Sequence, residues 1–320
     1  MKTIQKKVTQ SFFNKVANEW FERTYDPKGS YLKFPVNRLR KDAALMEIEK
    51  LDLKPKMKTM DIGCGTGQLV VDLLYKGFEA YGIDVADKMI QEANKSLVKS
   101  RVDKFNQKEI FKVADVEDLN LAKKRYNLIT ALGLLEYLDT DEELFKVLKN
   151  VVVSKGYALV ECRNKFFNLF SGNNYTLSIC ESGQLKGLVN SLSEVEKFSP
   201  IADIGIPNIQ KLVTASIENF LEESIGKKEW NVSTQKKYTK YPEKMLRRQH
   251  TPQELAKTAK KFGFELGYVV YYHLHPYPPK YEKKFPQIYN KISDLMTPLG
   301  QTSLGATSAS AFIGVLKKNN

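Results

Sequence analysis

Residues 60–74 read MDIGCGTGQLVVDLL. A short apolar run, KTMDI over 58–62, leads into three glycines at alternate positions, Gly63, Gly65 and Gly67. A stretch with helical spacing, LVVDLLYKG over 69–77, follows and closes on Gly77. A strand, a loop with unusual backbone freedom and a helix, in that order, make the first βα unit of an α/β domain. Peptide N–H groups at such a helix start are free to meet a ligand. The loop is G-x-G-x-G, and position 68 holds glutamine where a dinucleotide fingerprint has its third glycine, which weakens a pyrophosphate reading. Asp61 stands two places before Gly63, and a carboxylate there suits a bound cation or ammonium better than a phosphate.

The pattern continues on both sides of the loop. EAYGID (79–84) reads as a second strand, with a helix over 86–100 behind it. Further strands are expected at 109–115, 126–134, 156–164, 265–275 and 310–318, the fourth followed by a helix to about residue 150. Strands alternating with helices of this length imply parallel βαβ units. Two helices are expected before the first strand, over 9–23 and 36–51, joined through a turn at DPKGS (26–30). Regular alternation stops between Lys165 and His250, a stretch that includes a helical pattern over 208–228, and resumes at TPQELAKTAKKFGF (251–264). Thr251 and Glu254 there form a capping box, with Pro252 at the first helical position.

The expected fold is therefore α/β: a doubly wound, Rossmann-like, seven-stranded sheet with N-terminal helices and an inserted, mainly helical cap after strand five. The expected divisions are an N-terminal helical segment over 1–55, a core over 56–164, a cap over 165–250 and completion of the core over 251–320.

Two further acids fall at strand ends. Asp84 ends the second strand, where an acceptor-only carboxylate can take hydrogen bonds from both hydroxyls of a ribose. Asp115 ends the third, where it can accept from an adenine amino group. An ammonium, a ribose diol and an adenine without phosphate describe S-adenosylmethionine.

Composition sets the outer bounds. The chain has 320 residues, 42% apolar and 27% charged, ordinary for a globular protein with a sizeable core. The N-terminal MKTIQKKVTQSFF lacks the apolar stretch of a signal peptide, and the longest apolar runs, such as 128–135, are too short to span a bilayer. Three scattered cysteines, Cys64, Cys162 and Cys180, read as reduced thiols, so a cytoplasmic location is expected. The formal charge is +13, concentrated in 1–56 and 227–248, each of which carries a net +6. Solvated lysines explain most such excesses; the sharper reading is an anionic or phosphate-bearing substrate beside the second segment.

D-I-G-C-G-T-G, G-I-D and V-A-D-V, in this order and at strand ends, resemble the class I S-adenosylmethionine-dependent methyltransferases, over roughly 56–164 and 251–318. F-N-K-V-A-N-E-W (13–20), V-N-R-L-R (36–40) and L-L-E-Y-L (134–138) are similar to the ubiquinone-biosynthesis O-methyltransferases and their relatives. That resemblance implies S-adenosylmethionine as cofactor. It implies cofactor contacts at Asp61, Gly63, Cys64, Gly65, Gly67, Asp84, Val85, Asp115, Val116 and Leu132, with Cys64 serving only as a small loop residue. Those relatives have an N-P-L-R whose arginine contacts the cofactor's carboxylate, and Arg40 matches it. Their L-E-H reads Leu135-Glu136-Tyr137 here, which puts a histidine-based proton transfer at that position in doubt.

Methyl transfer needs an aligned nucleophile, exclusion of water and, for a hydroxyl, a general base. The candidates are Glu136 just past strand four, His250 at the end of the cap, His273 on strand six and Tyr175 in the cap. His273 and His275 are two apart on a strand and are expected on one face together with Tyr271. H-x-H lacks a neighbouring carboxylate or cysteine, so no metal is expected. The cap aromatics Phe166, Phe167, Phe170, Tyr175, Phe220, Trp230, Tyr238 and Tyr241 are expected to form the cap's own small core, or else to line a pocket.

The leading expectation is O-methylation of a small molecule. An RNA methyltransferase gripping a backbone through KKYTKYPEKMLRR (236–248) is the second, and a non-catalytic cofactor-binding scaffold the third. No RNA-binding module is recognisable, and A-L-G-L follows strand four where methylation of nucleobase amines uses an N-P-P-Y or D-P-P-Y tetrad. Neither the methyl acceptor nor the oligomeric state is legible.

Overall fold

The computed structural model describes residues 3–25, 34–100, 109–121, 125–200, 240–242, 245 and 247–320. The expected turn at 26–30 and helix at 208–228 lie outside the described residues, as do Phe220, Trp230 and Tyr238.

Seven strands form one sheet in the order β3-β2-β1-β4-β5-β7-β6. They are β1 (Lys58–Ile62), β2 (Glu79–Asp84), β3 (Phe111–Val113), β4 (Tyr126–Ala131), β5 (Val152–Arg163), β6 (Phe264–Leu274) and β7 (Ala309–Lys318). β1 to β5 pair in parallel, while β7 runs antiparallel between β5 and β6. Strand bounds depart from expectation where single residues turn the backbone. Glu109, at φ 56°, lies outside extended backbone just before β3, and Gly133, at φ 69°, follows the end of β4.

The sheet is buried on both faces, and side-chain alternation sorts it into two cores. Ile129, Ala158, Val160 and Phe312 face one way, against Leu144, Phe145 and Leu148 of α5 (Asp141–Val151) and Leu255 and Ala259 of α9 (Pro252–Lys261). Leu128, Leu159, Tyr272 and Ile313 face the other, against Leu69, Val70, Leu73 and Leu74 of α3 (Gln68–Tyr75) and Ile48 of α2 (Val36–Lys50). Two buried faces covered by helices are what makes the sheet doubly wound. The capping box at α9 is formed: the Thr251 hydroxyl accepts from the Glu254 N–H at 3.2 Å, and the Glu254 carboxylate accepts from the Thr251 N–H at 2.8 Å.

Helix α1 (Ile4–Tyr25) crosses the carboxyl end of this sheet with α4 (Asp87–Ser100) beneath it. Phe12, Val16, Ala17 and Trp20 pack on Met89, Tyr137 and Met245 in a third cluster.

After β5 the chain forms short helices, α6 (Asn168–Ser171), α7 (Asn174–Glu181) and α8 (Leu185–Leu192). Their described aromatics do not make a separate core. Phe166, with Ile179 of α7 and Leu188 of α8, joins the main cluster, and Tyr241 stacks on Phe12 of α1 at 4.6 Å. The apolar residues of these short elements are too few to bury one another, so they lie on the sheet domain's own surface. Two more helices, α10 (Pro286–Leu295) and α11 (Gly305–Ser308), connect β6 to β7.

Asn164 ties the end of β5 to its surroundings. Fully buried, it donates to the Ala306 carbonyl at 2.6 Å and the Ala309 carbonyl at 2.8 Å, and accepts from the Phe166 N–H at 3.1 Å. Asn164→Ala strips partners from three backbone groups. A loss of about 2–3 kcal/mol is expected in urea unfolding, each buried unpaired group costing about 1–3 kcal/mol. An unchanged midpoint contradicts this.

Candidate active site

The sheet order reverses between β1 and β4, and the crevice outside their carboxyl ends is where open α/β sheets bind ligands. A cavity of about 480 Å³ opens there. The glycine loop forms its floor, with φ of 75° at Gly63, 52° at Gly65 and 82° at Gly67, a left-handed run that side-chain-bearing residues rarely adopt. Gly63, Cys64 and Gly65 line the cavity. Gly67 does not: it caps α3, where a Cβ would fall 2.6 Å from the Phe111 ring, so its role is close packing of the helix start. Cys64 is buried, and burial pushes its thiol up, which suits an inert wall residue.

The three acids divide. Asp84 lines the cavity, one oxygen accepting from the Gly65 N–H at 3.0 Å and the other from the Ala86 N–H at 2.8 Å. Burial pushes its carboxyl up to about 6, against the pull of those N–H groups. Asp115 also lines the cavity and pairs with Lys6 of α1 at 3.3 Å. Asp61 lies beneath the loop rather than on the cavity wall, accepting from the Thr130 hydroxyl at 2.6 Å, and burial pushes it up to about 7. Val85, Val116 and Leu132 complete this half of the wall.

Arg40 reaches the cavity from α2. Its Nη1 donates to Glu161 of β5 at 2.9 Å, and the Tyr272 hydroxyl donates to the same carboxylate. The guanidinium passes so close to Gly133 that a Cβ there would lie 2.2 Å from Nη1, so a larger residue would displace the arginine head. Further N–H donors of the fork are available to a ligand carboxylate.

The far half of the cavity is lined by Glu136, Arg163, Arg247, Phe167, Asn173, His273 and His275. Glu136 accepts from Arg247 Nε at 2.9 Å and has Arg163 at 3.6 Å. Burial pushes its carboxyl up, but Arg247 and Arg163 outweigh this and hold it below the ordinary range. Glu136 is thus an ion-pair partner, a weak proton acceptor that organises two guanidiniums.

Two of the expected catalytic residues stand off the wall. His250 pairs with Asp141 at 2.9 Å, and its backbone bridges Arg163 and Lys165, so it fastens the returning chain to the start of α5. Tyr175 is 41% exposed and lies under the Arg163 guanidinium at 5.6 Å. His273 is on the wall, but at φ 56° it breaks the strand's simple alternation. Tyr272, His273 and His275 therefore all face the cavity, while Tyr271 packs in the opposite core beside Phe312.

Glu161 and Arg163 were not among the expected site residues. Charged residues two apart on an otherwise apolar buried strand were the available signal. The part of α1 was also missed. Lys6, Thr9, Phe13, Trp20 and Arg23 roof the cavity, and no local pattern says what an amphipathic helix will cover.

Among the described residues, no group of three or more His, Cys, Asp or Glu is placed to hold a metal ion. No described helix is long and apolar enough to cross a membrane.

The donors present fit S-adenosylmethionine. A loop of bare peptide groups, a carboxylate oriented by two N–H bonds and an arginine occupy one connected wall, and no phosphate-binding third glycine is present. Comparison with known proteins points the same way. A family profile described as a methyltransferase domain matches residues 60–160. The ubiquinone biosynthesis O-methyltransferase of Pelagibacter ubique is 26% identical over 234 residues, covering 69% of this chain and 90% of that protein. The enzyme of the same name from Leptothrix cholodnii is 23% identical over 176 residues, covering 53% and 71%. Magnesium protoporphyrin IX methyltransferase from Synechocystis, solved with bound SAH, shares the fold with a TM-score of 0.52 at 14% identity, covering 98% of this chain and 100% of that one. The sheet order, the glycine loop at its reversal and these likenesses converge: the chain is a methyltransferase that uses S-adenosylmethionine as its cofactor, and its fold is that of the class I S-adenosylmethionine-dependent methyltransferases.

Proposed function

We propose that this methyltransferase acts on a hydroxyl oxygen of a small molecule that carries an anionic group. The observation that carries the reading is the continuity of one cavity from the glycine loop and Asp84 to the Glu136–Arg163–Arg247 cluster. The names of the relatives add support for oxygen as the acceptor atom.

When bound, S-adenosylmethionine supplies an activated methyl group. The chain's residues bind, orient and exclude water. Asp84, with its orientation set by Gly65 and Ala86, offers its remaining lone pairs to a ribose diol. Arg40, steadied by Glu161, is the partner for the methionine carboxylate. Phe13 and Trp20 of α1 cover the crevice and keep solvent out. Two guanidiniums sharing the single Glu136 carboxylate leave a net positive wall for an anionic acceptor. We assign residues 165–250 to substrate enclosure, with Phe167, Asn173, Tyr241 and Arg247 as their contribution to the wall among the described residues.

The basic segment bears on the RNA alternative. Its described arginines turn inward: Arg247 is bound to Glu136 and lies over the Tyr241 ring at 4.5 Å, and Arg248 is bound to Asp141. Tyr241 is stacked on Phe12. Guanidiniums and rings committed in this way are not free for a nucleic-acid backbone and its bases.

Three outcomes are expected. Asp84→Ala and Gly65→Val each lose S-adenosylmethionine binding in calorimetry while the circular dichroism spectrum is kept; wild-type affinity in either places the cofactor elsewhere. Because Asp84 binds a proton below about 6 and only its ionised form accepts from both hydroxyls, the dissociation constant rises about tenfold per pH unit below that value. A constant affinity from pH 7.5 to 5 contradicts the role given to this carboxylate. Incubation with methyl-labelled cofactor and a metabolite extract, read by mass spectrometry, yields a product labelled on oxygen; label on nitrogen alone overturns the acceptor assignment.

A further inference from the structure

The chain between β6 and β7 carries its polarity the wrong way round. In α10 the buried residues are Pro286, Tyr289, Asn290 and Ser293, while Ile288 and Ile292 stand in solvent. Hydrogen bonds account for the inward face: the Tyr289 hydroxyl donates to the Tyr277 carbonyl, and the Ser293 hydroxyl to the Leu274 carbonyl. The outward face continues toward the N-terminus through Phe285, Tyr281 and Tyr277. These five side chains recur every three or four residues along a chain that is helical or turned from Pro279 to Leu295. They are between 39% and 66% exposed, and the Tyr277 and Tyr281 rings meet edge to face at 6.2 Å. An amphipathic segment ordinarily buries its apolar stripe, and a grouped exposed one marks a surface that something covers.

Charge identifies the cover. Residues 277–292 hold four lysines against one glutamate, a net +3, and Lys280, Lys283 and Lys284 are exposed. Lys280 and Lys284 lie over the Tyr281 ring at 5.2 and 5.9 Å, so the cations sit among the apolar groups. A twofold contact with a second copy would set this positive patch against itself. The centre of a protein interface is also poor in lysine. Lysines beside tyrosines and aliphatic side chains suit the boundary between lipid headgroups and acyl chains. There the ammoniums meet anionic headgroups and the apolar groups leave water. We propose that residues 277–292 seat the protein on an anionic lipid surface. Pro279 and Glu282 of the same segment line the cavity, so the docked molecule turns this edge of the cavity toward the bilayer.

The test uses the full chain and sedimentation with lipid vesicles, of phosphatidylcholine alone or with about one-third phosphatidylglycerol. Partitioning at low salt is expected to be roughly a hundredfold stronger onto the anionic vesicles, from three exposed lysines. Added salt weakens it. Phe285→Ser with Ile288→Ser weakens it by about tenfold or more, through lost apolar burial. Lys280→Gln, Lys283→Gln and Lys284→Gln together remove the preference for anionic lipid. Ile288→Trp adds an emission that shifts to the blue with anionic vesicles, whereas Val98→Trp, at an exposed position of α4, adds one that does not. That contrast separates docking through this segment from loose attraction of lysines elsewhere. No binding to anionic vesicles, binding that either set of substitutions leaves unchanged, or an unshifted emission from position 288 overturns the inference. So does a dimer in sedimentation velocity that the Phe285→Ser, Ile288→Ser protein lacks, since the face is then a contact between copies. Circular dichroism and S-adenosylmethionine affinity stay at wild-type values, because none of the substituted residues lines the cavity.

Discussion

Everything at the site depends on one constraint of topology. β1 lies between β2 and β4, and the chain runs outward from it in both directions, so the connections leaving β1 and β4 diverge at their carboxyl ends. The crevice they leave is bounded on one side by the glycine loop and Asp84, and on the other by Gly133 and Glu136. Because β7 enters antiparallel between β5 and β6, the ends of β5 and β6 and the start of β7 come together beside that crevice. Glu161, Arg163, Tyr272, His273 and Ser310 consequently meet on one wall although they are far apart in sequence.

Charge buried around such a cavity must be matched or neutralised, and the chain does both. Arg40 is matched by Glu161, Arg247 by Glu136, and Lys6 by Asp115 and Glu143. Removing one member of a buried pair costs about 3–5 kcal/mol, so each pair also holds its elements in place. Through these contacts α1, α2 and the chain around 247–250 are fixed to the sheet's carboxyl end. Asp84 and Asp61 are treated differently. Neither has a cation at hydrogen-bond distance among the described residues, and burial raises both toward neutrality. Asp84, on the wall, keeps lone pairs beyond the two that the Gly65 and Ala86 N–H groups engage.

How legible this was depended on range. The glycine loop, Asp84 and the alternation of strands and helices are local patterns whose physical meaning lies within about thirty residues. They carried the fold and the cofactor. Pairings between distant segments left no local trace. Nothing near Glu136 announces two arginines arriving from positions 163 and 247, and the sequence around His250 does not show that Asp141 binds its ring. The expected shared face held for His273 and His275 but failed at Tyr271, for a local reason instead. A positive φ at His273 is rare for such a residue, and period-two reasoning assumes extended backbone throughout. The aromatics of residues 165–250 are expected to form a core of their own or to line a pocket; Phe166 joins the sheet domain's core instead, while Phe167 and Tyr241 line the cavity.

The central claim is that the crevice at the reversal between β1 and β4 holds a cationic sulfur nucleoside through a carboxylate and bare peptide groups. Calorimetric titration of the intact chain with S-adenosylmethionine and, separately, with NAD tests it most directly. Saturable heat at one site per chain with the first and none with the second is the expected result. Saturation by the pyrophosphate dinucleotide, with no heat from the sulfonium nucleoside, would contradict it.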